Sequence, residues 1–202
     1  TDFLKSRQKV NLTMVIVNIV VFIVLECMGS TENANFMIAH GAAYTPLVQQ
    51  GQVWRLFTAM LLHFGFRHLA CNMFSLLFLG DLVERSLGIV RYLIIYLGGG
   101  FCGSLLSYAL SVRNGTFQVS AGASGAIFAC MGAFIFLALM NRQHLGPDGI
   151  RRIGIMILIV IMQSLVDKGV DSAAHFGGMA AGFLLTFLLL LPFIRRRRAV
   201  KD

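Results

Sequence analysis

Six predominantly apolar blocks, at residues 10–28, 68–87, 90–112, 123–140, 150–166 and 172–194, divide this chain of 202 residues. Hydrocarbon at the centre of a bilayer is about 30 Å thick, and a helix needs about 20 apolar residues to cross it. The blocks have that length, and short polar connections separate most of them. Hydrophobic residues make up 57% of the chain and charged ones only 13%, about half the charged share of a soluble domain. The natural solvent is therefore lipid. The expected fold is all-α: a polytopic membrane bundle of six transmembrane helices forming one domain over 1–202, without repeat or linker. The fourth and fifth blocks are the shortest, and a short helix begins below the membrane surface, leaving a water-filled dip above it.

The net charge of +8 would suit a nucleic-acid binder, but its placement points elsewhere. The basic residues flank apolar blocks, and no stripe interleaves them with aromatics, so the partner is the bilayer and no nucleic acid is expected. With both termini on one side, that side holds 13 of the 17 Lys and Arg, whereas the other holds only Arg55, Arg67, Arg113 and Lys168. Cytoplasmic flanks carry such an excess, which places both termini in the cytoplasm. The run Arg195–Arg198 reads as a stop-transfer anchor. The first block follows Lys5, Arg7 and Lys9 as a signal peptide would. It is too long for one and no small-residue cleavage site ends it, so it is read as a retained span. The first residue is Thr1 rather than Met, and a longer natural N-terminus is expected. Cys27, Cys71, Cys102 and Cys130 all fall within apolar blocks and form no CxxC pair, the pattern of packing residues.

Polar residues inside spans are costly and are functional candidates by default. Gly122-Ala123-Ser124-Gly125 opens the fourth block. Its glycines admit a close backbone or substrate, and the free N–H groups of a helix start favour an oxyanion; an N-cap serine beside packing glycines has the same signature. Ala174-His175-Phe176-Gly177-Gly178 opens the sixth block, and its lone histidine suits either catalysis or a bond to a neighbouring helix. Asp171, four residues earlier, suggests a triad, but Asp171 or Ser172 is the preferred reading as the helix N-cap. Small residues at 125, 129 and 133, and at 174, 178 and 182, form two stripes along which membrane helices approach closely. If these stripes face each other, Ser124 and His175 meet at one end of the bundle, where the imidazole takes the serine proton. Phe128, one turn after Ser124, is placed to stack on that ring. His68 and Asn72 share a helix face and both donate hydrogen bonds. His63, His68 and His175 together suggest a zinc site, but no HExxH motif or nearby carboxylate base accompanies them, and no metal is expected. His40 and His144 are read as loop residues, and Glu84 as a tie between helix ends. The connection over 29–67 holds Tyr44, Trp54 and Arg55 and is expected to fold on or partly in the membrane.

These residues resemble the rhomboid intramembrane serine proteases along nearly the whole chain: Trp54-Arg55, the stretch HFGFRHLACN with His63, His68 and Asn72, Glu84-Arg85 with Gly88, Gly122-Ala123-Ser124-Gly125, and Ala174-His175 followed by Gly178 and Gly182. Each motif is weak alone, and their shared order is specific. The resemblance implies a six-helix core with a Ser–His dyad, Ser124 the nucleophile and His175 the general base, with no cofactor. It implies an oxyanion hole from His68, Asn72 and the Ser124 backbone N–H, supported by His63, Gly122, Gly125, Phe128 and Gly178. Substrates would be single-span membrane proteins, and the location the bacterial inner membrane with the site opening outward. The fifth span and the loop at 167–171 would act as gate and cap. The family's bacterial members commonly have Tyr where this chain has Phe128, which keeps stacking and loses a hydroxyl. An inactive, client-binding relative would lack Ser124 or His175, and a transporter would show repeats or charges deep in several spans.

Overall fold

The structure is a computed structural model that describes residues 9–141, 151, 154, 158 and 171–199. The elements are α1 (Lys9–Met28), α2 (Ala34–Ala39), β1 (Ala43–Tyr44), α3 (Thr45–Gln49), α4 (Arg55–Thr58), a 3-10 turn (Ala59–Leu61), α5 (Gly65–Leu87), α6 (Ile89–Asn114), β2 (Val119–Ser120), α7 (Ser124–Met140) and α8 (Ser172–Ala199). Four of them, α1, α5, α6 and α8, are long and apolar enough to cross a membrane, and α7 is a shorter apolar helix. The architecture is an all-α polytopic bundle. The expected spans fall on these helices, with α8 continuing through Pro192 to Ala199. Most of the expected span at 150–166 lies outside the described residues.

The bundle is arranged for lipid. On α1, Asn11, Val15, Asn18, Phe22 and Leu25 face inward, while Ile16, Val20, Ile23 and Val24 are exposed. A water-soluble helix would bury its branched aliphatics and expose its asparagines. The central helix is α7, on which every residue from Gly125 to Ala133 is buried. It packs against α5, α6 and α8. Cys130 joins the core, whereas Cys27, Cys71 and Cys102 lie exposed. Those three correct the packing expectation. An outward apolar block needs no tight neighbour when lipid covers it.

One end of the bundle is knitted by a buried polar network. Glu84, 2% exposed, accepts from the Asn11 N–H at 2.7 Å and the Val10 N–H at 3.4 Å. It thus supplies an acceptor to the first turn of α1, whose N–H groups have no partner within the helix. Asn11 donates to the Leu76 carbonyl at 3.0 Å and accepts from the Tyr92 hydroxyl at 2.8 Å. Gly80 makes room for it, since any Cβ there would overlap Asn11 Oδ1. Glu84→Ala strands those N–H groups. It should cost about 1–3 kcal/mol, the penalty for a buried unsatisfied polar group, read as loss of unfolding free energy in detergent; an unchanged value would refute the tie.

The connection between α1 and α5 is folded. Arg55 is buried and donates to the Ile38 and Ala42 carbonyls at 2.6 and 3.0 Å and to Gln52 Oε1 at 2.7 Å, and its guanidinium lies against the Trp54 ring. Strands β1 and β2 pair antiparallel, Ala43 with Ser120 and Tyr44 with Val119. This bridge, which no sequence pattern announces, fastens the long connection to the segment that leads into α7.

Candidate active site

Ser124 is the first residue of α7, and the loop before it is held at consecutive residues. The Gly122 N–H donates to the Ala59 carbonyl at 2.9 Å, and the Ala123 N–H donates to His63 Nε2 at 3.3 Å. Gly122 has φ +139°, a conformation that favours glycine, and it also needs the space. A Cβ at that position would lie 3.0 Å from His68 Nε2 and 3.5 Å from Ser124 Oγ. His68 therefore sits across Gly122 from the serine. The Phe64 N–H points to His68 Nδ1 at 3.4 Å. In a neutral imidazole that leaves the proton on Nε2, the nitrogen on the Gly122 side.

His63 is 1% exposed and meets His68 edge-on at 5.2 Å. Burial, aided by His68, pushes its pKa down to about 3. It is thus a neutral ring whose Nε2 acts as acceptor for the loop. Asn72 Nδ2 donates to the His68 carbonyl one turn back at 2.9 Å, and its second N–H remains to serve another acceptor.

His175 lies in the first turn of α8 and is buried. Its Nε2 is 2.7 Å from Ser124 Oγ. The Phe128 ring stacks on the imidazole with centroids 4.3 Å apart and planes inclined by 10°. Among the described residues His175 Nδ1 has no hydrogen-bond partner. Asp171 caps α8, its Oδ1 accepting from the Ala174 N–H at 2.9 Å, which selects Asp171 over Ser172 as the cap.

The two small-residue stripes do face each other. A Cβ on Gly178 would overlap the Gly125 carbonyl oxygen, one on Gly182 would overlap that of Ala129, and one on Gly132 would overlap that of Met179. Backbone-to-backbone contact is therefore what carries the His175 helix close enough for its ring to reach Ser124.

The structure thus gathers Ser124, His175, Phe128, Gly122, His68 and His63 around one point, with Asn72 on the adjoining face of α5. No three His, Cys, Asp or Glu side chains converge among the described residues, and His63 Nε2 and His175 Nε2 are already engaged by Ala123 and Ser124. His40 turns away and bonds the Phe36 carbonyl. His144 and most of the expected gate at 150–166 lie outside the described residues. Sequence reasoning missed the partners of the Asp171 carboxylate, the hydroxyls of Ser107 and Ser120, which no local pattern marks.

A serine within hydrogen-bond reach of a histidine, at a helix start that leaves free N–H groups, is equipped for acyl transfer. Residues 50–192 match the family model of the Rhomboid domain. The chain is 39% identical over 178 residues to the Rhomboid protease GluP of Bacillus subtilis (strain 168), an alignment covering 86% of this chain and 33% of the relative. It is 35% identical over 149 residues to the Putative rhomboid protease YdcA of the same organism, covering 74% of this chain and 73% of the relative. RHOMBOID-like protein 7 of Arabidopsis thaliana is 40% identical over 153 residues, covering 74% and 47%. The chain spans about a third of the length of the first of these relatives.

Proposed function

The chain belongs to the rhomboid family, and from that premise we propose that it is an intramembrane serine endopeptidase acting through Ser124 and His175. The observation that carries this reading is the 2.7 Å separation of His175 Nε2 and Ser124 Oγ. His175 takes the hydroxyl proton as Ser124 Oγ attacks a peptide carbonyl, then returns it to the leaving amine. An acyl-enzyme forms, and water, activated by the same imidazole, releases it. Among the described residues no carboxylate meets His175 Nδ1, and Phe128 holds the ring plane in place of one. The negative charge on the carbonyl oxygen is met by the Ser124 N–H, the Nε2–H of His68 and the second N–H of Asn72.

Peptide hydrolysis in a membrane needs water at the bond and a carbonyl that is not locked in a helix. The short α7 starts at Ser124, and a polar dip above it supplies the first condition. Irregular backbone such as the Gly122 loop is tolerated at membrane depth where it lines such a dip. Substrates are single-span membrane proteins whose helix unwinds near the cut. With six spans both termini share one side, and the Lys and Arg excess makes that side the cytoplasm of a bacterial inner membrane; the site then opens outward, with the connection between α1 and α5 resting on the outer leaflet.

The test is reconstitution of the chain in liposomes with a single-span substrate carrying small residues near its membrane boundary. Fragments should appear that mass spectrometry assigns to one cut near that boundary. Asn72→Ala should still cleave, with kcat lowered about 100- to 1000-fold, the usual loss for one oxyanion donor. Wild-type kcat in that variant would remove Asn72 from the oxyanion hole. Intact substrate together with a Ser124 inert to fluorophosphonate would refute the protease reading.

A further inference from the structure

We propose that Asp171 is a positioning residue for the Ser124–His175 pair: its single carboxylate ties the start of the His175 helix to the loop that carries Ser124 and to α6. The inference rests on the catalytic reading of Ser124 and His175.

Both oxygens of Asp171 are used, and for different segments. Oδ1 accepts from the Ala174 N–H at 2.9 Å, one residue before His175. Oδ2 accepts from the Ser120 hydroxyl at 2.7 Å and from the Ser107 hydroxyl. Ser120 lies in β2, four residues before Ser124, and is paired with Ala43. Ser107 lies on α6. One carboxylate thus joins three segments distant in sequence, two of which deliver the reacting side chains.

Helix packing alone leaves this end of the bundle underdetermined. The contacts of Gly178 with Gly125 and of Gly182 with Ala129 fix how close α7 and α8 run. They lie below the dyad, and van der Waals contact is weakly directional. The axial position and rotation of the first turn of α8 decide where the imidazole points. Hydrogen bonds to a carboxylate are directional and stronger than neutral ones, and Asp171 places two of them on neighbours of the dyad. Its role is separate from that of a third catalytic acid. His175 Nδ1 has no partner among the described residues. Asp171, Ser107 and Ser120 line a cavity of about 360 Å³ that neither Ser124 nor His175 lines.

The test uses the full chain in liposomes with Asp171→Ala, Asp171→Asn and the double variant Ser107→Ala/Ser120→Ala, each checked for folding by thermal unfolding. Two rates are read: covalent labelling by a fluorophosphonate, which reports serine activation without a peptide substrate, and kcat with its KM on a single-span substrate. Asp171→Ala should lower labelling and kcat together by about 100-fold, the usual cost of a misplacement near 1 Å, while KM stays put. The double serine variant, which keeps the cap, should fall in the same direction by a smaller factor. Asp171→Asn should recover most of the loss, because its amide oxygen still caps Ala174 and its NH2 group still meets the serine hydroxyls. Folded Asp171→Ala with wild-type labelling and kcat would overturn the proposal. Wild-type rates in the double serine variant would also overturn it, by reducing Asp171 to a helix cap, and that variant decides alone if Asp171→Ala does not fold. A wild-type chain that neither labels nor cleaves would instead overturn the protease reading itself.

Discussion

Replacing His175 with alanine should abolish cleavage while leaving the fold intact. The ring is the base nearest Ser124, at 2.7 Å, and an unassisted serine hydroxyl is a poor nucleophile at neutral pH. Loss of either catalytic partner in a soluble serine protease lowers kcat on the order of 10⁶-fold, and a similar fall here takes turnover below detection. Ser124→Ala should be equally inactive, and the double variant no worse than either single one, because two residues that act as a unit are lost together. The backbone contacts between α7 and α8 lie elsewhere, so the variant loses the Phe128 stack on the ring but keeps the helices together, and thermal unfolding should fall only modestly. Turnover in His175→Ala within tenfold of wild type would exclude it as the base.

The second large effect comes from a residue that touches no substrate. Gly178→Ala puts a Cβ into the Gly125 carbonyl, and the three nearest atoms are all Gly125 backbone, which a rotamer change cannot move aside. The helices must separate or slide. Gly125 follows Ser124 directly, and Gly178 is one turn beyond His175, so the displacement reaches the dyad undiminished. A shift near 1 Å costs about 100-fold in rate. The variant should therefore keep its helical circular dichroism, lose thermal stability and lose at least that factor in both kcat and fluorophosphonate labelling. Gly177→Ala, one position round the helix, meets Leu106 side-chain carbons at 3.0 Å and a Gly103 backbone atom at 3.2 Å. It should be milder, since a leucine side chain yields more readily than backbone. Wild-type labelling in Gly178→Ala would show that the close helix contact does not set the dyad geometry.

How much of this was legible in the sequence depended on how local each feature is. The long apolar helices follow from block length alone, and most of their ends fall within a few residues of the block ends. The Ser124–His175 meeting was legible through two four-residue spacings of small residues, since helical geometry turns such spacing into a contact face. The N-cap was narrowed to Asp171 or Ser172 and needed coordinates to choose. Features that join distant segments were not legible. The β1–β2 bridge is two residues long on each side, too short for alternation to mark, and the bonds of Asp171 to Ser107 and Ser120 link hydroxyls of a residue type found throughout the chain. The outward placement of Cys27, Cys71 and Cys102 was also missed. In lipid an apolar side chain has no strong preference between core and surface, so the sequence pattern that separates the two in water is weak here.

The most direct test of the Ser124–His175 pair is to label the liposome-embedded chain with a fluorophosphonate and map the adduct by mass spectrometry, with His175→Ala as the control. If the pair is catalytic, one adduct forms, on the peptide that contains Ser124, substrate cleavage is lost in parallel, and His175→Ala forms no adduct. A chain that cleaves its substrate with Ser124 unmodified, or one whose Ser124 labels equally well without His175, would contradict it.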